Sequence, residues 1–258
     1  MVERTSMGGF VARVTAVLFD MGGTLFGYDQ RELMRRPALV ALQRLGLDTD
    51  SDEVALVRRQ ASDAVEREYA SRASFVHRDL FRERVARAAL LLGVTPTDDV
   101  LDRFDAENRQ AILDHLLPQS DAVETLLALR ERGVYVGVVS NADDDYLGEL
   151  LTRHGLDELL DDVTSSQEAD SCKPHQRIFE YSLQKAGTSA NETIFVGDSL
   201  PHDVAGAHTA GMLTALIGDA DAVAPLSSGL DASVVPDFTI ETLVEIVGIV
   251  DRVNGKGE

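Results

Sequence analysis

Lysine is scarce in this chain. Only Lys173, Lys185 and Lys256 occur among 24 basic residues, which 44 acidic residues outnumber to give a formal net charge of −20. Such an acidic surface argues against nucleic acid as a partner. Arginine far in excess of lysine on an acidic chain is a statement about solubility, in keeping with a salt-adapted or GC-rich source. Cysteine is reduced to Cys172 alone, which excludes an internal disulfide and points to a reducing cytoplasm. It precedes Lys173, which would suit a reactive thiol, but with no obvious general base beside it the residue reads as a small packing one. No apolar run approaches membrane-spanning length and no signal peptide is visible, so no membrane role is expected. Residues 1–13 read as a flexible N-terminus, with Met7 an alternative start.

What is present is organised around residues 14–25. Val14, Thr15, Ala16, Val17, Leu18 and Phe19 read as a strand buried on both faces, as in parallel sheets. The run stops at Asp20, and Gly22 and Gly23 follow almost at once. A carboxylate at the carboxyl end of a buried parallel strand stands where open α/β sheets bind ligands. Glycines there let the backbone turn sharply and come close to that ligand. Taken alone, the same letters describe a strand ending in a turn.

From residue 27 to 117 the pattern is helical. Pro37 opens a helix over 37–45 closed by Gly46, and Ser51 caps one over 52–69 with Val54, Val57, Ala61 and Val65 on one face. A third covers 77–92 before Gly93, and Thr97 caps a fourth through Leu116. This is expected to be a separate helical domain inserted between 14–26 and 118–258. Its arginines (Arg58, Arg59, Arg82, Arg84, Arg87) read as a solvated face, with one or two in reach of a substrate.

The remainder alternates strand and helix. A helix over 122–132 leads to the strand Val134 to Val139, which runs into Ser140-Asn141 and the acidic Asp143-Asp144-Asp145, a helix start that suits the dipole. A short strand near Val163, the pair Lys173-Pro174 and a helix through Ile178 and Phe179 come next. The strand Thr193 to Val196 then ends in Gly197-Asp198-Ser199, with Asp203 shortly after. A helix of small residues, a strand at 213–217, a loop of low order over 220–233, a strand at 238–240 and a helix over 241–253 close the chain. The fold expected is a doubly wound parallel α/β sheet carrying an all-helical insert.

Parallel strands deliver their carboxyl ends to one edge, so Asp20, Ser140 and Asp198 should meet there, with Lys173 and Asp203 beside them. Two like charges 4 Å apart repel by roughly 4 kcal/mol at an effective dielectric near 20. One lysine offsets this only in part, and a divalent cation completes the set. Oxygen ligands without a His or Cys cluster select Mg²⁺. Asp198 or Asp203 alone would be explained as the start of a helix, but both together with Asp20 and Lys173 are not.

These residues, in this order, resemble the haloacid dehalogenase superfamily. The first motif is similar to Phe19-Asp20-Met21-Gly22-Gly23-Thr24-Leu25 and the second to Val138-Val139-Ser140-Asn141. The third is similar to Lys173-Pro174 with Ile178-Phe179, and the fourth to Gly197-Asp198-Ser199 through Asp203. The resemblance implies a Rossmann-like core and a phosphatase acting on a small phosphorylated metabolite. It makes Asp20 the nucleophile of an aspartyl-phosphate and Lys173 the group that neutralises charge. Ser140 and the backbone near Asn141 would bind the phosphoryl group. Mg²⁺ would be held by Asp20, the Gly22 carbonyl and Asp198, with Asp203 direct or through water. The insert would be a mobile cap that excludes water.

One position departs from the pattern. Phosphatases of this superfamily usually carry an acid–base Asp where this chain has Gly22. Such a group contributes roughly 10²–10⁴-fold. A good leaving group, a substitute such as Asp29 or His202, or a non-catalytic phospholigand-binding role would each account for the change. Dehalogenases also lack that Asp, but they lack the paired acids of the fourth motif as well. Phosphonatase chemistry requires a cap lysine, and residues 27–117 contain none.

Overall fold

The computed structural model describes residues 13–218 and 234–255. Residues 1–12 and the expected loop over 220–233 lie outside them. The first strand, β1 (Ala16–Phe19), sits in the middle of the structure and is fully buried. The chain then makes a two-residue strand, β2 (Phe26–Gly27), and four helices: α1 (Arg31–Arg44), α2 (Asp52–Ala70), α3 (His77–Leu91) and α4 (Asp98–His115). It returns through β3 (Leu117–Pro118), which pairs antiparallel with β2. The two connectors of the helical insert are thus hydrogen-bonded to each other.

Helix and strand alternate from there. In order come α5 (Ala122–Glu131), β4 (Tyr135–Ser140), α6 (Asp144–Arg153), β5 (Asp162–Ser165), α7 (Gln176–Ala186) and β6 (Thr193–Gly197). A π-type turn at Leu200–Val204 leads into α8 (Ala205–Thr209), β7 (Leu213–Ile217), β8 (Phe238–Ile240) and α9 (Glu245–Val253). Six strands pair in the order β5-β4-β1-β6-β7-β8, all parallel. The chain steps to one side of β1 for β4 and β5 and to the other for β6 to β8. The reversal of strand order therefore falls at β1, where open α/β sheets form their ligand crevice.

Successive side chains of a strand face opposite ways, and the core follows that rule. Val17 and Phe19 pack with residues of α5, α6 and α9, such as Leu126, Leu150 and Ile246. Leu18, between them, packs with Ile178, Phe179 and Ala207 of α7 and α8. The small residues near α8 have a steric reason: a Cβ at Gly206 would lie 2.6 Å from the Phe179 ring and 3.1 Å from the Pro174 backbone. The insert has a core of its own around Leu42, Val54, Val85 and Phe104. Among the described residues no helix is long and apolar enough to cross a membrane.

Two helix boundaries differ from the sequence reading. α1 starts at Arg31, so Pro37 lies inside it and is buried. The extra turns are anchored from outside: Met34 packs on the main core and the Arg31 guanidinium lies 4.9 Å from the Tyr28 ring centre. α9 begins at Glu245 because the Glu245 carboxylate accepts from the backbone N–H groups of Glu241 and Thr242, which holds those residues in a turn ahead of the helix. Ser51 caps α2 as expected, accepting from Glu53 N–H at 3.2 Å. Thr97 stands at the start of α4 without a side-chain capping bond.

Candidate active site

Phe19 pairs with Val138 on one side and Val196 on the other. Asp20, one residue on, therefore emerges at the carboxyl edge between the ends of β4 and β6. Lys173, on the loop before α7, reaches back to it. The Lys173 ammonium donates to Asp20 Oδ1 at 2.5 Å and to Asp203 Oδ1 at 2.7 Å, and all three residues are buried. Asp203 comes from the π-type turn that opens after β6. Its second oxygen accepts the Ser199 N–H at 3.0 Å. A Cβ at Gly197 would sit 2.4 Å from the Asp203 side chain, so only glycine admits Asp203 there. Wide π turns of this kind are enriched at functional sites.

Asp198 completes the group. Oxygens of Asp20, Asp198 and Asp203 lie within 4.8 Å of one another. Gly23, with φ +92°, makes room for Asp198: a Cβ there would fall 2.1 Å from Asp198 Oδ2. Glycine supplies both the backbone conformation and the close approach.

Three acids and one base leave an electrostatic deficit. Burial pushes Asp20 up to about 6; Lys173 opposes the rise and Asp203 adds to it. Burial, with the charges of Asp20 and Asp203, pushes Asp198 up to about 7. Burial works against the Lys173 ammonium, but Asp20 and Asp203 outweigh it and hold lysine above its usual value. Each shift has the sign expected of carboxylates short of positive charge. An all-oxygen, carboxylate-rich donor set in that condition suits Mg²⁺.

Ser140 ends β4 and is buried beside this cluster. The Asn141 side chain is turned to the lysine loop. Its Oδ1 accepts the Lys173 N–H at 2.7 Å and its Nδ2 donates to the Lys173 carbonyl at 3.0 Å. The amide thus clamps the backbone of the lysine, and what Asn141 can offer an anion is its own backbone. His202 Nδ1 also lies 3.2 Å from the Lys173 carbonyl, and burial pushes that imidazole down, favouring its neutral form. Asp29 is exposed, its carboxylate turned towards Gly27. Cys172 is buried, and burial raises its thiol pKa, in keeping with a packing role.

A cavity of about 240 Å³ lies between the insert and the sheet edge. Asn141, Lys173 and His202 line it from the sheet side, and Tyr69, Phe75 and Arg84 from the insert. Of the insert arginines, Arg82 and Arg87 are engaged with carboxylates of the insert itself. Arg84 also pairs with Glu66 at 2.9 Å, but its buried Nε has no hydrogen-bond partner among the described residues.

A residue unmarked by the sequence reading is Tyr28. It follows β2, and its hydroxyl lies 2.5 Å from where a Cβ at Gly22 would be. Burial, then the charges of Asp20 and Asp198, hold this phenol well above its usual pKa. Only the emptiness at Gly22 hinted that another side chain had moved in; a spacing of six residues across a turn carries no such signal.

A parallel sheet with its strand reversal at a buried aspartate, a lysine bridging two acids and a helical insert define an α/β protein with an acidic cluster at the sheet edge where such folds bind ligands. The profile of the haloacid dehalogenase-like hydrolases matches residues 14–211. The chain belongs to that family. It is 31% identical to a glyceraldehyde 3-phosphate phosphatase of Methanopyrus kandleri, over 92% of this chain and 97% of the relative. It is likewise 31% identical to a ribulose-1,5-bisphosphate 5-phosphatase of Halopiger xanaduensis, over 92% and 99%. Among solved structures, the magnesium-bound putative HAD hydrolase YfnB of Bacillus subtilis superposes with a TM-score of 0.72 over 93% of this chain and 100% of that one. At 17% identity it speaks for the fold alone.

Proposed function

We propose that the chain is a Mg²⁺-dependent phosphatase of small sugar phosphates that works in the cytoplasm through an aspartyl-phosphate on Asp20. The observation that carries this reading is the cluster of Asp20, Asp198 and Asp203, the first and last of them buried and bridged by Lys173. The names of the relatives, both phosphatases of small sugar phosphates, support the substrate class. The lone buried cysteine fits a reducing compartment.

Asp20, Asp198 and the Gly22 carbonyl would hold Mg²⁺, which when bound supplies positive charge against the phosphoryl oxygens. Asp20 attacks phosphorus with a carboxylate oxygen as the bond from phosphorus to the sugar oxygen breaks, and water then hydrolyses the aspartyl-phosphate to free phosphate and restore Asp20. Lys173 keeps that carboxylate oriented and lowers the repulsion between two anions as they meet. Asp203 has protein bonds on both oxygens, so its role is to hold Lys173, and it would add its charge to the metal site. Ser140 and the Asn141 backbone bind phosphoryl oxygens. Helices α1 to α4, within 27–117, serve as the cap, and the cavity beneath them holds the sugar with water excluded.

Phosphate release from glyceraldehyde 3-phosphate, ribulose 1,5-bisphosphate and phosphoglycolate, with and without Mg²⁺, tests the reading. Turnover should need the metal and be lost in Asp20→Asn, and mass spectrometry should trap a phosphoryl adduct on Asp20. An unchanged rate in that variant would overturn the nucleophile.

A further inference from the structure

The Gly22 position poses a chemical problem. When Asp20 attacks, the bond from phosphorus to the sugar-side oxygen breaks and leaves its electron pair on that oxygen. A sugar alkoxide is a poor leaving group, and a hydrogen-bond donor placed to meet the developing charge lowers the barrier. Glycine has no side chain to donate. The space that one would occupy is nonetheless filled, because the Tyr28 hydroxyl lies 2.5 Å from the Cβ position of Gly22.

The rest of the Tyr28 environment is that of a donor kept ready. Its hydroxyl makes no hydrogen bond among the described residues, and the residue is 39% exposed with its ring under Arg31. The carboxylates of Asp20, Asp198 and Asp203 favour the neutral phenol and outweigh the Arg31 guanidinium, which opposes them. The other candidates are placed less well. His202 is turned to the Lys173 carbonyl, and the Asp29 carboxylate is turned towards Gly27.

We infer that the Tyr28 hydroxyl takes the place of the side chain missing at Gly22 and donates a hydrogen bond to the oxygen that leaves phosphorus. The phenol stays neutral throughout: the departing oxygen keeps the bonding pair, accepts the hydrogen bond and takes its proton from water. The assignment rests on the phosphatase reading and adds to it the group that assists departure. Tyr28 also joins β2 to α1, so this donor stands at the base of the insert rather than on the sheet edge.

The test compares two leaving groups in one preparation. In Tyr28→Phe with Mg²⁺, kcat on glyceraldehyde 3-phosphate should fall about a hundred- to a thousand-fold, the range of a lost hydrogen-bond donor to a developing oxyanion. On p-nitrophenyl phosphate, whose phenolate leaves unaided, it should fall less than about threefold. The ratio of the two rates cancels any loss of folded protein. Equal losses on both substrates, or no loss on either, would overturn the role of Tyr28. Gly22→Asp adds an independent reading. The new Cβ cannot share its space with the Tyr28 hydroxyl, so the single variant should be less active than wild type, and Gly22→Asp combined with Tyr28→Phe should exceed it on the sugar phosphate. A single variant at or above wild-type rate would mean that the space is not contested. Absence of wild-type turnover on both esters would instead defeat the phosphatase reading, so the two failures are distinct.

Discussion

The Asp143 carboxylate accepts the backbone N–H of His77 at 2.7 Å, across 66 residues of sequence, and that of Arg78 at the same distance. Asp143 belongs to the loop after β4, and His77 and Arg78 begin α3 of the insert. A side chain of the sheet half therefore caps a helix of the other half, satisfying donors that a helix N-terminus leaves unpaired. Burial works against the Asp143 charge, but the His77 and Arg78 groups outweigh it and hold the carboxyl below its usual range.

Removing that cap should cost about 1–2 kcal/mol, the usual value for an N-cap. For a chain of this size Asp143→Ala should lower Tm by roughly 3–6 °C in calorimetry. It should also raise KM for the sugar phosphate more than it lowers kcat, since it loosens the insert and leaves the Asp20 cluster in place. Asp143→Asn, which retains an acceptor oxygen, should recover part of both effects. Equal behaviour of the two variants would contradict the capping role.

A second expectation concerns pH. Asp20 and Asp198 have folded-state values of about 6 and about 7, above the ordinary aspartate value of 3.8. Between pH 4 and 7 the folded chain therefore binds more protons at these sites than the unfolded chain does. Their contribution makes the metal-free protein less stable as pH rises through that window, by an amount on the order of a few kcal/mol. Mg²⁺ should raise Tm more at pH 7.5 than at pH 5, because at pH 5 it competes with protons. Asp198→Asn should flatten the metal-free Tm profile over this range, and an unchanged slope would show that the cluster does not set it.

Asp198 and Asp203 should also separate in kinetics. Asp198→Asn is expected to raise the Mg²⁺ concentration for half-maximal activity at least tenfold. Asp203→Asn should leave that concentration within about threefold while lowering kcat tenfold or more, because it removes the negative charge of one of the two carboxylates that position the Lys173 ammonium. The reverse pattern in a magnesium titration would make Asp203 the ligand.

Much of this architecture was legible because buried parallel strands leave unambiguous runs. The strands at 213–217 and 238–240 fall where the apolar residues put them, and the motif acids converge because parallel strand ends must share an edge. What the letters did not carry is whatever depends on a distant partner. Pro37 reads as a helix start until Met34 and Arg31 are seen anchored elsewhere. Nothing in the letters says that the Asn141 amide holds the Lys173 backbone from 32 residues away. Asp143 stands at the head of its own helix, as read, but its side chain caps another.

The ribbon of Phe26–Gly27 and Leu117–Pro118 has a consequence for descent. The helical block is sewn on along a single seam, its incoming and outgoing strands side by side. A module with both its ends at one place can be exchanged wholesale, or rebuilt helix by helix, without reopening the sheet. On the phosphatase reading, lineages can then retailor what is accepted while inheriting the bond-breaking machinery intact.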